Sequence, residues 1–204
     1  MARRYLWGLL ITTAGFILAA CGQPGQSSPA VEVTTTAVNT RAVTADQGEP
    51  ADEDLFYLWA EDAEASSEFA SPEWGAEKAL GEPDAPGCGD YQYAWASAAS
   101  DSVETLTVEF GYSLYPREIR VVESFNPDQV VRVEIYNPGT QEFITVLEKE
   151  PEQVDRPCPY TLRVPVEGVD FRTNRVRITI DQSVLGLGWN EIDAVELIGT
   201  ISPE

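Results

Sequence analysis

From residue 55 onward the chain is dominated by short runs in which apolar and polar positions alternate. Leu106, Val108 and Phe110 are interleaved with Thr and Glu. Ile119 and Val121 follow Pro116, and Val131, Val133 and Ile135 are interleaved with Arg132 and Glu134 until Asn137-Pro138-Gly139. Phe143, Thr145 and Leu147 form the next run, followed by 161–166, by Val176, Ile178 and Ile180, and by a last run from Glu191 to Gly199. A period of two places one set of side chains on one face of an extended chain, so each run predicts a half-buried strand. About seven or eight such strands, divided by turn residues, predict an all-β domain of the sandwich or jelly-roll kind. One stretch departs from the pattern: Pro72 to Leu80 predicts a short helix, with Ser71 as cap, Pro72 at the first helical position and Gly81 as terminator.

Ahead of residue 55 the pattern is different. Arg3 and Arg4 precede an uncharged apolar run of fifteen residues, Leu6 to Ala20. A membrane-spanning helix needs about 20 residues, so the run suits the apolar part of an export signal. It ends in Leu18-Ala19-Ala20-Cys21, which resembles the lipobox of bacterial lipoproteins. That resemblance implies cleavage before Cys21 and acylation of Cys21; an ordinary secretory signal with a chance cysteine is the alternative. Several acyl chains would anchor the protein stably, at about 0.8 kcal/mol per buried methylene.

Gly22 to Asp54 is rich in Ser, Thr, Ala, Gln, Gly and Pro, has no aromatic residue, and offers valines as its largest apolar side chains. Such a stretch cannot bury enough surface to offset its ordering entropy. It predicts a disordered linker, spanning on the order of 30 Å. The expected organisation is therefore a lipoprotein signal peptide over 1–20, a lipid-anchored linker over 21–54 and one β-sandwich over 55–204. The expected location is the cell envelope, with the domain outside the cytoplasm and the membrane reached through Cys21.

Charge and composition narrow the function. The chain carries 34 acidic and 13 basic residues, a formal net charge of -21. Such a surface repels nucleic acid and anionic lipid, whose binding needs Lys and Arg. The sequence has no histidine, which removes the commonest general base, the commonest zinc ligand and every Ser-His or Cys-His nucleophile system. No phosphate-binding Gly loop, nucleophile elbow or redox cysteine motif is present. A binding protein rather than an enzyme is expected. With Cys21 acylated, Cys88 and Cys158 remain as a pair. In an oxidising compartment a disulfide is the default, two free thiols being the alternative.

Several segments, taken in order, resemble the galactose-binding-domain-like superfamily. Within it they are most similar to a discoidin-like subgroup (coagulation-factor C-type) found on bacterial surface proteins and in pappalysin-type proteins. The segments are 63–67, 79–84, Gly87-Cys88-Gly89-Asp90 with Ala94-Trp95-Ala96, 123–127 running into Val130-Val131, and Trp189-Asn190 through Leu197. The resemblance implies a galactose-binding-like jelly-roll sandwich with its ligand loops at one end, binding sugars, lipid head groups or proteins. It also implies one structural calcium, for which Asp84, backbone carbonyls of the 79–86 loop and Glu196 are the positions that match. Calcium wants six to eight oxygens, and Asp90 is a further carboxylate on the same loop.

The candidate ligand residues fall in loops or at strand ends. Trp74, Tyr93 and Trp189 offer aromatic platforms for the C–H face of a sugar, and Glu123, Asn126 and Asn190 offer groups for its hydroxyls. Trp95 and Trp189 flank strands and are equally core candidates, and Asn126-Pro127 suits a turn. Two functions are expected: binding of extracellular carbohydrate, or docking of another envelope protein through the same loops or a sheet edge.

Overall fold

The structure, a computed structural model, describes residues 55–203. The signal peptide, Cys21 and the linker expected from the sequence lie outside the described residues. The described part is all-β, as the alternation predicts. Its strands are β1 (Phe56–Trp59), β2 (Asp62–Ala65), β3 (Val103–Phe125), β4 (Val130–Asn137), β5 (Glu142–Glu148), β6 (Tyr160–Pro165), β7 (Thr173–Asp181) and β8 (Glu191–Thr200).

The strands form two antiparallel layers. One runs β1-β8-β3-β6, the other β2-β3-β7-β4-β5. β3 belongs to both. Its first half pairs with β7 from Val103 to Glu109, and its second half pairs with β8 from Tyr115 to Phe125. The two runs that the sequence separates at Pro116 are thus one extended segment that changes layer where the β7 register shifts, between Glu109 and Leu114. β8 approaches closely at this bend. A Cβ on Gly199 would lie 2.2 Å from the Tyr115 carbonyl oxygen, so only glycine fits there.

The core fills the space between the layers. Leu106 and Val108 of β3, Ile135 of β4 and Ile178 of β7 meet Ile119, Val121, Val164 and Leu197 from the other side. Burying each such side chain contributes about 1.5–3 kcal/mol. One expectation shifts by a residue. Val130, not Val131, is fully buried, because the β4–β7 register slips between Val130 and Arg132. An extra residue in one strand leaves the alternation in phase only on its far side, at Val133 and Ile135.

The helix expected over 72–80 is a single 3-10 turn, Ala76–Ala79. Trp74 adopts φ +55, in the left-handed region, so a right-handed helix cannot run through it. Ser71 does not cap the turn; the Glu68 carboxylate does, accepting the Ala76 N–H at 2.7 Å.

The strand registers place four connections at one end of the sandwich. Val103 pairs with Asp181, Val130 with Ile180, Phe125 with Glu191 and Tyr160 with Glu123. Segments 66–102, 126–129, 149–159 and 182–190 therefore meet there. All six candidate ligand residues lie on these segments or at the strand ends that carry them.

Candidate functional site

Loop segments cannot satisfy one another through a ladder, so side chains must take that role. At this end buried amides do. Asn126 Nδ2 donates to the carbonyls of Leu187 at 2.7 Å and Trp189 at 3.0 Å. Gln129 Nε2 donates to the carbonyls of Asn126 and Gly188. Gln182 Nε2 donates to the Ser97 hydroxyl and the Ala99 carbonyl, while its oxygen accepts the Asn190 N–H at 2.8 Å. Asn190 Nδ2 donates to Glu123 at 2.7 Å and to the Asn126 carbonyl at 3.1 Å.

Three expectations change here. Glu123 and Asn190 are 1% and 0% exposed, and Asn126 spends its amide on two carbonyls, so these side chains hold the loops together rather than face a ligand. Their amide and carboxylate chemistry is the kind a sugar site uses; burial turns it inward. Burial also pushes the Glu123 carboxyl up to about 7, against the opposing pull of the Asn190 hydrogen bond and of Lys149. Gln129 and Gln182 complete this clasp, and the sequence offers no signal for them, since a polar residue beside a turn reads as solvated.

Two further ties close the loop end. Cys88 and Cys158 form the expected disulfide, with Cα atoms 5.0 Å apart, joining the 66–102 and 149–159 segments. Asp128, buried at φ +87, pairs with Arg156, whose guanidinium lies 4.8 Å from the Tyr160 ring centre.

Beside this clasp is an open pocket of about 170 Å³, lined by Phe69, Trp74, Asp90, Ala96, Trp189 and Glu191. Phe69 stands between the two indoles, 5.5 Å from Trp74 and 5.4 Å from Trp189 between ring centres, edge-on to both. The backbone fixes this arrangement: Phe69 N–H donates to the Ala96 carbonyl and Ala96 N–H to the Trp74 carbonyl. Trp74 Nε1 donates to Asp90 at 3.1 Å, and Trp189 Nε1 to the Ser97 carbonyl at 3.0 Å. Each indole thus has its polar edge satisfied.

Of the expected residues, Trp74 and Trp189 come together here. Tyr93 is 41% exposed on the same segment, outside the pocket lining, while Trp95 is fully buried core. Phe69 and Glu191 were not expected. Phe69 had a signal, an aromatic residue among Ser66, Ser67, Ala70 and Ser71. Glu191 had none, being the first residue of an alternating strand. It is 1% exposed, like Glu123; its carboxyl accepts the Tyr91 N–H at 3.1 Å and shares a hydrogen bond with Asp90. Burial, and then the adjoining Asp90 charge, push its carboxyl up to about 8.

Asp84 and Glu196, the calcium positions implied by the sequence, each sit beside other groups. Glu196 pairs with Arg120 at 3.0 Å, and that ion pair occupies the carboxylate. Asp84 lies instead beside Asp193, whose carboxylate accepts the backbone N–H groups of Asp84 and Ala85 at 3.2–3.3 Å. Among the described residues no three acidic, Cys or His side chains converge on a metal position.

Residues 49–203 match the family described as Pappalysin-1, SD scarf domain, C-terminal. The chain is also 26% identical over 106 residues, 48% of its length, to F-box/LRR-repeat protein 4 of Bos taurus, and the match covers 17% of that protein. Among solved structures, the module CpGH89CBM32-4 of Clostridium perfringens, in complex with glcNAc-alpha-1,4-galactose, superposes with a TM-score of 0.52 at 11% identity. It covers 69% of this chain and 90% of that one. A chitosan-binding module from a chitosanase/glucanase of Paenibacillus sp. IK-5 gives 0.51 at 15% identity, with 68% and 94% covered. At such identities these likenesses establish the fold alone, a β-sandwich shared with those modules.

Proposed function

The chain belongs to the Pappalysin-1, SD scarf domain, C-terminal family, and from that premise we propose that it is a non-catalytic recognition module that binds extracellular carbohydrate at its aromatic loop end. The observation that carries the reading is the pocket of Phe69, Trp74 and Trp189, open to solvent at Phe69 with Asp90 at its edge. Aromatic faces stack on the apolar face of a sugar ring, and flanking polar groups orient it. Two indoles and one phenyl ring on interlocked loops supply that platform with little ordering cost on binding.

The module is further proposed to be exported and held at the cell envelope by lipid on Cys21, with residues 21–54 as its tether. A single small pocket binds weakly, and many copies on one surface raise avidity by presenting sites together. Retention of the chain on an array of glycans tests the reading. Wild type is expected to be retained by at least one glycan class. Trp74→Ala and Phe69→Ala are expected to lose that retention with an unchanged circular dichroism spectrum. A folded chain retained by no glycan defeats the reading and favours docking of an envelope protein.

A further inference from the structure

The aromatic pocket rests on a buried tie. Trp74 Nε1 donates to Asp90 at 3.1 Å. Asp90 in turn shares a hydrogen bond with Glu191, which is 1% exposed at the start of β8. Glu191 also accepts the N–H of Tyr91, the residue after Asp90, at 3.1 Å. One carboxyl on the sheet therefore grips the loop at neighbouring residues, by the side chain of Asp90 and the backbone of Tyr91. Among the described residues the partners of the Asp90 side chain are Trp74 and Glu191.

Two carboxyl groups can hydrogen-bond only if one of them carries a proton. Burial places that proton on Glu191 rather than on the exposed Asp90, and the Glu191 carboxyl is pushed up to about 8. Among the described residues no ion pair involves either acid. The other charge acting on Glu191 is Asp193 of the same strand, again an acid. On β3 the residues paired with Glu191 and Ile192 are Phe125 and Glu123, and Glu123 is turned to Asn190 in the clasp. Loss of the proton would set like charges against each other with no cation to relieve them. Asp90, on an exposed loop, is the partner that can withdraw, and Trp74 loses its anchor with it.

Glu191 is too buried to meet a ligand, yet it can act through its partners. Resting on the carbohydrate reading above, we propose that Glu191 is a positioning residue of this pocket: sharing a proton with Asp90, it fixes the Trp74 indole against Phe69, where a sugar ring is received. The pocket is competent while the tie holds its proton and loses its platform as rising pH removes it. Glutamine separates this role from a merely structural one. Its amide carries a donor for Asp90 and an acceptor for the Tyr91 N–H, and it does not titrate. Alanine supplies neither.

The test follows the full-length chain from roughly pH 6 to pH 9, below the ordinary range of tyrosine. Near-ultraviolet circular dichroism reads the packing of the aromatic rings, and the glycan array reads retention at both ends of the range. Wild type is expected to show a spectral transition centred near pH 8. Its retention is expected to fall at least about fivefold across that transition, the worth of one hydrogen bond. Glu191→Gln is expected to keep the acid-side spectrum and retention throughout, and Glu191→Ala to show the alkaline behaviour throughout. Trp74→Phe is expected to abolish the transition. A wild-type spectrum that does not change, a transition that survives in Glu191→Gln or Trp74→Phe, or wild-type retention by Glu191→Ala overturns the proposal and leaves the carbohydrate reading standing. If Glu191→Ala does not fold, wild type against Glu191→Gln decides alone. The spectral arm needs no ligand, so a folded chain that passes it and is retained by no glycan upholds the tie and defeats the carbohydrate reading.

Discussion

Asn190 and Glu191 are neighbours in sequence and belong to different regions of the same loop end. Asn190 enters the clasp, where its amide meets Glu123 and the Asn126 carbonyl. Glu191 opens β8 and turns into the aromatic pocket with Asp90. Successive side chains of an extended segment point to opposite sides, so one step along the chain separates a group spent on the clasp from a group that lines the pocket. The two regions use the same vocabulary of carboxylate, amide and aromatic ring. They differ in what satisfies it. In the clasp, buried amides are consumed by backbone carbonyls from other loops. In the pocket, Phe69 packs on both indoles and is itself half exposed, and Asp90 and Glu191 accept from Trp74 Nε1 and the Tyr91 N–H. Damage to the first is expected to be read in stability, and damage to the second in binding.

The largest break in the comparison comes from the disulfide. Cys88→Ser with Cys158→Ser opens a cross-link between residues 70 apart in sequence. On the chain-entropy account this costs roughly 4 kcal/mol. The expected result is a large fall in the denaturant midpoint. Ligand binding, measured where the double variant is still folded, is expected to change little, because neither cysteine lines the aromatic pocket. A matching loss of affinity would mean that the two regions are one unit.

A smaller break is Asn126→Ala. It removes two hydrogen bonds to the 187–189 segment and puts alanine at φ +42, a conformation asparagine tolerates better. A destabilisation of about 2–3 kcal/mol is expected by chemical denaturation. Hydrogen exchange should show lost protection confined to 183–190. A variant as stable as wild type would return Asn126 to the list of ligand residues.

How much of this was legible in the sequence follows from the same comparison. The sandwich was, because alternation encodes a buried face directly, as at Val176, Ile178 and Ile180. The exception, Val130 for Val131, arises at a bulge, and a bulge depends on the partner strand as much as on the strand itself. The disulfide was legible because few cysteines and an expected oxidising compartment leave little choice. The site was legible only by residue type. Trp74, Trp189 and Asn126 look alike as loop residues rich in chemistry, and nothing local says which one faces inward. That is decided by segments far apart in the chain: Asn126 finds carbonyls 61 and 63 residues away. Trp74 finds Phe69 close by and Trp189 across the pocket. The expected helix failed for a backbone reason, the left-handed Trp74, and that residue type gives no warning of it.

The smallest effect has the opposite sign. Glu123 is buried and its carboxyl is raised from 4.5 to about 7. Below pH 4.5 it is protonated in both folded and unfolded chains and adds no penalty. Between 4.5 and 7 the unfolded chain releases this proton while the folded chain keeps it, so stability falls as pH rises. Above 7 the folded chain holds a buried charge and the penalty is complete. Glu123→Gln keeps the shape and the oxygen that accepts from Asn190, and removes the charge. It is expected to leave stability unchanged at pH 4 and to raise it by about 2 kcal/mol at pH 8. Glu191 titrates through a neighbouring window, so the quantity to measure is the difference between variant and wild type at each pH, by denaturant unfolding. A difference that grows from pH 4 to 7 and then levels identifies Glu123 as a charge the fold carries at a cost. A difference that stays flat would mean that Glu123 is ionised and well compensated within the clasp.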